Sequence, residues 1–111
     1  MDCLSKIKGI FRKVHEFEKS LNREYKVTLN EAMVICSLSE GSRSSGEISE
    51  CTEISNTRTS RVLLSLEHKG LIERSLCDKD KRKMMFVLTE KGISKSHDLK
   101  SINVEIDFEL E

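Results

Sequence analysis

Between Ser44 and Thr89 the apolar residues change period once, and that change restricts the fold more than any other feature of the chain. Up to Gly70 they recur at helical spacing. Beyond it, Leu71–Cys77 and Lys83–Thr89 are compact runs that read as strands. The helical part is itself divided. Ser44-Ser-Gly-Glu47 is a capping box, in which a hydroxyl and a carboxylate satisfy each other's orphan backbone N–H groups, and it predicts a short helix to about Thr52. Glu53-Ile54 turns the chain, Ser55 caps a longer helix to about Lys69, and Gly70 ends it. Two short helices joined by about three residues form a helix-turn-helix. Asp78-Lys-Asp-Lys-Arg82 separates the two strands, and five consecutive charges cannot be buried, so they predict the tip of a β-hairpin.

The flanks are helical. Leu4, Ile7, Phe11, Val14, Phe17 and Leu21 make an apolar stripe on a helix expected over residues 3–25. It is longer than a small domain needs for its own core, and its narrow stripe suits a helix shared with a second subunit. Thr28-Leu-Asn-Glu31 is another capping box, predicting a helix over residues 29–39 that Glu40-Gly-Ser42 stops. Thr89-Glu-Lys-Gly92 opens a last helix through Leu99. Ile102, Val104, Ile106, Phe108 and Leu110 alternate as in a strand, yet 99, 102, 106 and 110 share a helical stripe, and continued helix is the expectation. The fold class is therefore mainly α with a small β-hairpin: a winged helix-turn-helix over residues 28–92, flanked by dimerisation helices at residues 1–27 and 93–111.

Lys and Arg balance Asp and Glu, so the formal net charge is zero, which at first argues against a nucleic-acid partner. The distribution argues for one. Residues 1–54 hold eight basic and nine acidic residues, residues 55–95 hold ten and five, and residues 96–111 hold one and five. The middle is a block of net +5 between neutral and acidic segments. No apolar run approaches the ~20 residues that span a bilayer. The N-terminus lacks the layout of a signal peptide, so a cytoplasmic protein without membrane contact is expected. Cys3, Cys36, Cys51 and Cys77 show no paired spacing and read as free thiols, Cys36 as a small core residue.

Reading DNA needs a slim element with polar side chains at its leading end. The longer helix offers Ser55, Asn56, Thr57, Arg58, Ser60 and Arg61, with Val62, Leu63 and Leu66 turned to the core. Arg and Asn can make bidentate contacts to guanine and adenine edges, and a helix N-terminus favours phosphate. Lys79, Asp80, Lys81, Arg82 and Lys83 place four cations on a protruding loop, suited to phosphate and to the narrow minor groove.

Residues 28–92 resemble the MarR family of bacterial winged-helix regulators. The resemblance is carried by Glu47-Ile-Ser-Glu50, Ile54-Ser-Asn-Thr-Arg-Thr-Ser-Arg61 and Leu66-Glu-His-Lys-Gly-Leu-Ile-Glu-Arg74. Its most specific part is Asp80-Lys-Arg82 followed by Val87-Leu-Thr-Glu-Lys-Gly92, the family's wing signature. The resemblance implies a homodimer that binds double-stranded DNA at a pseudo-palindromic operator, usually as a repressor. It also implies that the helix at 55–69 is the recognition helix and that Arg82, oriented by Asp80, enters the minor groove. Thr52 and Thr59 depart from the pattern, standing where the family usually buries aliphatic residues; a threonine hydroxyl can bond a carbonyl one turn back. The family's chains usually continue through a further helix.

Other readings stay open beside this one. A winged helix can serve as a protein-interaction module without specific DNA binding, and a cysteine such as Cys3, near a helix start, could make the regulator redox-responsive. His15, His68 and His97 are singly placed, so neither a metal nor another cofactor is expected. No phosphate loop, nucleophile elbow or paired carboxylate near a histidine points to an enzyme. A small-molecule effector would lie between the long helix and the helix-turn-helix, with Phe11, His15 and Phe17 as candidates.

Overall fold

The computed structural model describes residues 2–76 and 83–102. Five helices and one hairpin follow in the order α1 (Cys3–Tyr25), α2 (Leu29–Ser37), α3 (Ser45–Thr52), α4 (Asn56–His68), β1 (Ile72–Leu76), β2 (Met84–Leu88) and α5 (Glu90–Lys100). The architecture is mainly helical with a small antiparallel hairpin, the winged helix-turn-helix expected from the sequence. The strands pair in register from Ile72 opposite Leu88 to Leu76 opposite Met84. Arg43 adds an isolated bridge to Phe86, its N–H donating to the Phe86 carbonyl at 3.2 Å and its carbonyl accepting the Phe86 N–H at 2.8 Å. That third contact is one residue long, which is why no sequence period announces it.

Each helix starts on a side-chain cap, and all but that of α1 were read from the sequence. Asp2, Thr28, Ser44, Ser55 and Thr89 accept bonds from the backbone N–H three residues on, and Thr28 and Ser44 complete capping boxes. Helix ends were less legible. α2 stops at Ser37 rather than 39, before Gly41. Its last carbonyls are taken by side chains: Ser37 Oγ donates to Val34, Ser39 Oγ to Cys36, and Arg43 Nε to Ser37. α1 and α3 close on Lys26 and Glu53 in the left-handed region, at φ 61° and 60°. Of the continuation expected after α5, only residues 101 and 102 are described, and they are not helical. The helix ends at Lys100 with Ser101 as its cap, and Ser101 Oγ returns to the Asp98 carbonyl. Residues 103–111 lie outside the described residues.

Leu21, Val27, Val34, Ile35, Ile48, Leu63, Leu66, Leu71 and Phe86 form one core between α2, α3, α4, α5 and the hairpin. Only the C-terminal end of α1 joins it. Leu21 is buried and Phe17 and Tyr25 pack against the core, whereas Leu4 is 76% and Phe11 61% exposed.

Two contacts hold the helices in position. The first is the buried carboxylate of Glu31. It accepts the Thr28 N–H at 2.8 Å, the Ser65 hydroxyl at 2.7 Å and the Lys69 ammonium at 2.8 Å, and so ties α2 to α4. Burial alone would raise its pKa. The bonds from Lys69, Thr28 and Ser65 outweigh that and hold the carboxyl below the ordinary glutamate range. The second is Gly92. A Cβ there would stand 2.0 Å from the Leu71 carbonyl oxygen, so α5 can pack this close only because residue 92 has no side chain. Thr89 completes the junction, its hydroxyl donating to the Gly70 carbonyl and its N–H to that of Leu71.

Because the folded pKa of Glu31 is depressed, its contribution is present above the unfolded value and is lost as pH falls through the folded one. Glu31→Gln should cost about 1–3 kcal/mol at neutral pH and make the loss of stability below pH ~4.5 shallower than in the wild type. Urea unfolding at pH 7 and pH 4 measures both, and an unchanged acid slope would refute the assignment. Gly92→Ala should lower stability by about 3 kcal/mol or more, since backbone rather than a rotamer must move. A loss under about 1 kcal/mol would mean that α5 can slide off Leu71 cheaply.

Candidate nucleic-acid interface

The turn between α3 and α4 is held by hydroxyls that converge on one residue. The Ile54 side chain is buried, its carbonyl accepts from Ser49 Oγ and from Thr59 Oγ1 (3.4 Å), and its N–H donates to Thr52 Oγ1 at 3.4 Å. Thr52 also donates one turn back to the Ile48 carbonyl at 2.7 Å. The two threonines that replace aliphatic residues are therefore buried and hydrogen-bonded, and they fix the angle at which α4 leaves the turn. Thr59 is fully buried, and with Val62, Leu63 and Leu66 it defines the inward face of α4.

Ser55, Asn56, Thr57, Arg58, Ser60 and Arg61, all the residues singled out on this helix, are exposed. Their chemistry differs. Ser55 Oγ accepts the Arg58 N–H at 3.2 Å, which leaves its hydroxyl hydrogen to donate outward. Ser60 Oγ already donates to the Asn56 carbonyl at 3.1 Å, so outward it can only accept. Among the described residues, neither Arg58 nor Arg61 enters a salt bridge. A helical wheel puts Thr57, Arg61 and Leu64 opposite Thr59. Leu64, 53% exposed, shares that face and was not among the residues singled out from the sequence. An apolar side chain there suits the methyl group of thymine.

Of the wing residues, Lys83 lies within the described part. Its ammonium is 3.6 Å from Glu47 at the start of α3, an exposed pair worth little and readily exchanged for a phosphate. The Ser44 N–H bonded to Glu47, together with the Lys83 charge, holds that carboxyl below its ordinary range. Lys79, Asp80, Lys81 and Arg82 lie outside the described residues. They belong to the segment that joins Leu76 to Met84, the last pair of the hairpin register. Arg74 is committed elsewhere. Its guanidinium grips Glu67 through bonds of 2.9–3.1 Å and lies 5.6 Å from the centre of the Phe86 ring, locking the hairpin to α4.

The remaining candidates do not assemble into a second site. Phe11 and His15 are exposed on α1, while Phe17 lines an apolar groove with Leu21, Met33, Cys36 and Ile102. Cys3 and Cys51 are exposed free thiols; Cys36 is half-buried, and burial pushes its thiol up. Cys77 lies outside the described residues. Among the described residues no three His, Cys, Asp or Glu side chains cluster as metal ligands would, and no helix is long and apolar enough to cross a membrane.

This geometry has counterparts among known proteins. The profile of the family described as transcriptional regulator SarA/Rot matches residues 16–99. The crystal structure of AbsC, a MarR family transcriptional regulator from Streptomyces coelicolor, superposes with a TM-score of 0.78 at 25% identity, covering 87% of this chain and 70% of that one. The YusO protein from Bacillus subtilis gives 0.71 at 27% identity, covering 86% and 68%. A point mutant of ZitR from Lactococcus lactis gives 0.67 at 26% identity, covering 70% of this chain and 53% of that one, so the match spans about half of ZitR. No curated protein matches the chain in sequence.

Proposed function

The chain belongs to the SarA/Rot family of transcriptional regulators, and from that premise we propose that it binds DNA sequence-specifically as a homodimer and represses by occupying promoter DNA. The observation that carries this reading is the outer face of α4. Asn56, Thr57, Arg58 and Arg61 stand exposed on a helix that buried Thr59, Val62 and Leu66 hold rigidly from behind. In this reading α4 enters the major groove, where Arg58 and Arg61 read base edges and Ser55 with the helix N-terminus takes a phosphate. Lys79, Lys81, Arg82 and Lys83 grip the backbone, with Arg82 in the minor groove beside Asp80.

The dimer half of the proposal is supported by α1. Its first four turns carry Leu4, Ile7 and Phe11 on one stripe, and within the chain Leu4 and Phe11 stay exposed. A second copy would cover them and set two α4 helices about 34 Å apart, one turn of a pseudo-palindromic operator.

Arg58→Ala and Arg61→Ala should each cost about 1–3 kcal/mol on the best duplex and relax sequence preference. Arg82→Ala should weaken all duplexes alike and reduce the salt slope by about one. Titrating promoter-derived and random duplexes at two salt concentrations decides it. The reading fails if no duplex outcompetes random DNA and Arg82→Ala changes nothing. For the dimer, the wild type should sediment at the mass of two chains at micromolar concentration and the Leu4→Glu/Phe11→Glu variant at the mass of one, with its helical circular dichroism retained. A monomeric wild type would refute this half alone.

A further inference from the structure

A second basic site lies at the other end of α4. A cleft of about 430 Å³ opens between the ends of α1 and α4 and the start of α5, within the size range of small-molecule pockets. Lys26, Lys69, Lys91 and Lys95 line it, with His68 at its edge, and none of its described lining residues is acidic. Tyr25, Val27 and Leu71 supply apolar surface.

Three of the lysines are anchored by protein carbonyls. Lys69 Nζ donates to the Lys26 carbonyl at 2.8 Å, Lys95 Nζ to Tyr25 at 2.9 Å and Lys91 Nζ to Lys69 at 3.3 Å. These bonds cap the C-terminal ends of α1 and α4, which explains part of the positive charge. They do not explain all of it. Each helix end offsets roughly half a charge, and Glu31, bonded to Lys69, offsets about one more. Four ammonium groups against that leave a surplus of about two positive charges around an apolar floor. Each ammonium has three N–H donors, and the bonds named use two on Lys69 and one each on Lys91 and Lys95.

We propose that this cleft binds a small molecule bearing a doubly charged anionic group, a phosphomonoester, on an apolar or aromatic body. The phosphate sits among Lys69, Lys91 and Lys95, and the body lies against Tyr25, Val27 and Leu71. Lys91 and Lys95 are one turn apart on α5, so both reach one group. DNA held by the start of α4 leaves the cleft accessible, because the 13 residues of α4 set its two ends about 18 Å apart. The inference does not depend on DNA binding and is tested without DNA.

The test is to titrate the 15N-labelled full chain with phenyl phosphate, inorganic phosphate and benzoate at fixed ionic strength, following amide shifts. Phenyl phosphate should shift residues 25–27, 68–71 and 91–95, with a midpoint about tenfold below that of inorganic phosphate and well below that of benzoate. Lys91→Gln/Lys95→Gln should raise the midpoint by about tenfold or more. Shifts confined to residues 56–61 and 83, or benzoate binding as tightly as phenyl phosphate, would overturn the proposal. So would a folded double variant that binds like the wild type. Should that variant fail to fold, the map on the wild-type chain decides by itself.

Discussion

The buried carboxylate of Glu31 is the contact on which the rest of the structure depends. It closes the capping box that starts α2, receives the Ser65 hydroxyl from the middle of α4, and neutralises Lys69 at the end of α4. Lys69 in turn caps α1 through the Lys26 carbonyl. One carboxylate thus sets the orientation of the outward-facing helix relative to α2 and, through one lysine, relative to the long N-terminal helix. A buried charge with fewer partners would cost several kcal/mol; with these three it is satisfied, and the described residues leave no buried side-chain polar atom without a partner.

Hydroxyl groups do for the helix-turn-helix what Glu31 does for the helix bundle. Ser49, Thr52 and Thr59 satisfy the backbone of Ile54, so the turn is fixed by hydrogen bonds on a buried residue rather than by glycine. The left-handed backbone at Glu53 is held in place by that network. Substituting threonine for an aliphatic residue here exchanges some apolar packing for directional bonds.

Helix starts were legible because capping is local: a hydroxyl at four of the five starts and, in α2 and α3, a carboxylate three positions on. The change of period at Gly70 likewise placed the hairpin to within a residue at each end. What could not be read was set at a distance. The end of α2 depends on Arg43, six residues on, reaching back to the Ser37 carbonyl. The bridge from Arg43 to Phe86 spans more than a third of the chain, and Lys69 looks like an ordinary last-turn cation until Glu31 is placed beside it. For the candidate site, sequence identified which residues of α4 face outward, because buried Thr59, Val62, Leu63 and Leu66 fix the phase of the helix. It passed over Leu64, which stands exposed on the same side of the helix but carries no polar group that would mark it as a candidate. It also placed Ser55 and Ser60 together, although their hydroxyls are used in opposite senses.

The described basic residues of 55–95 form one block along the chain but two groups in space. Arg58 and Arg61 stand on the leading turns of α4, and Lys83 precedes β2 at the last pair of the hairpin register, beside Glu47 of α3. Lys69, Lys91 and Lys95 gather at the far end of the same helix, where they bond carbonyls, and Arg74 is spent on Glu67. The two ends of α4 are about 18 Å apart, beyond a Debye length at physiological salt. In the proposed DNA complex the second group would therefore add little, and its cations need another reason to be together. Part of that reason is structural, the capping of two helix ends. The charge that capping leaves over is what distinguishes this end of α4 from an ordinary helix terminus, and it leaves α4 with basic side chains at both of its ends.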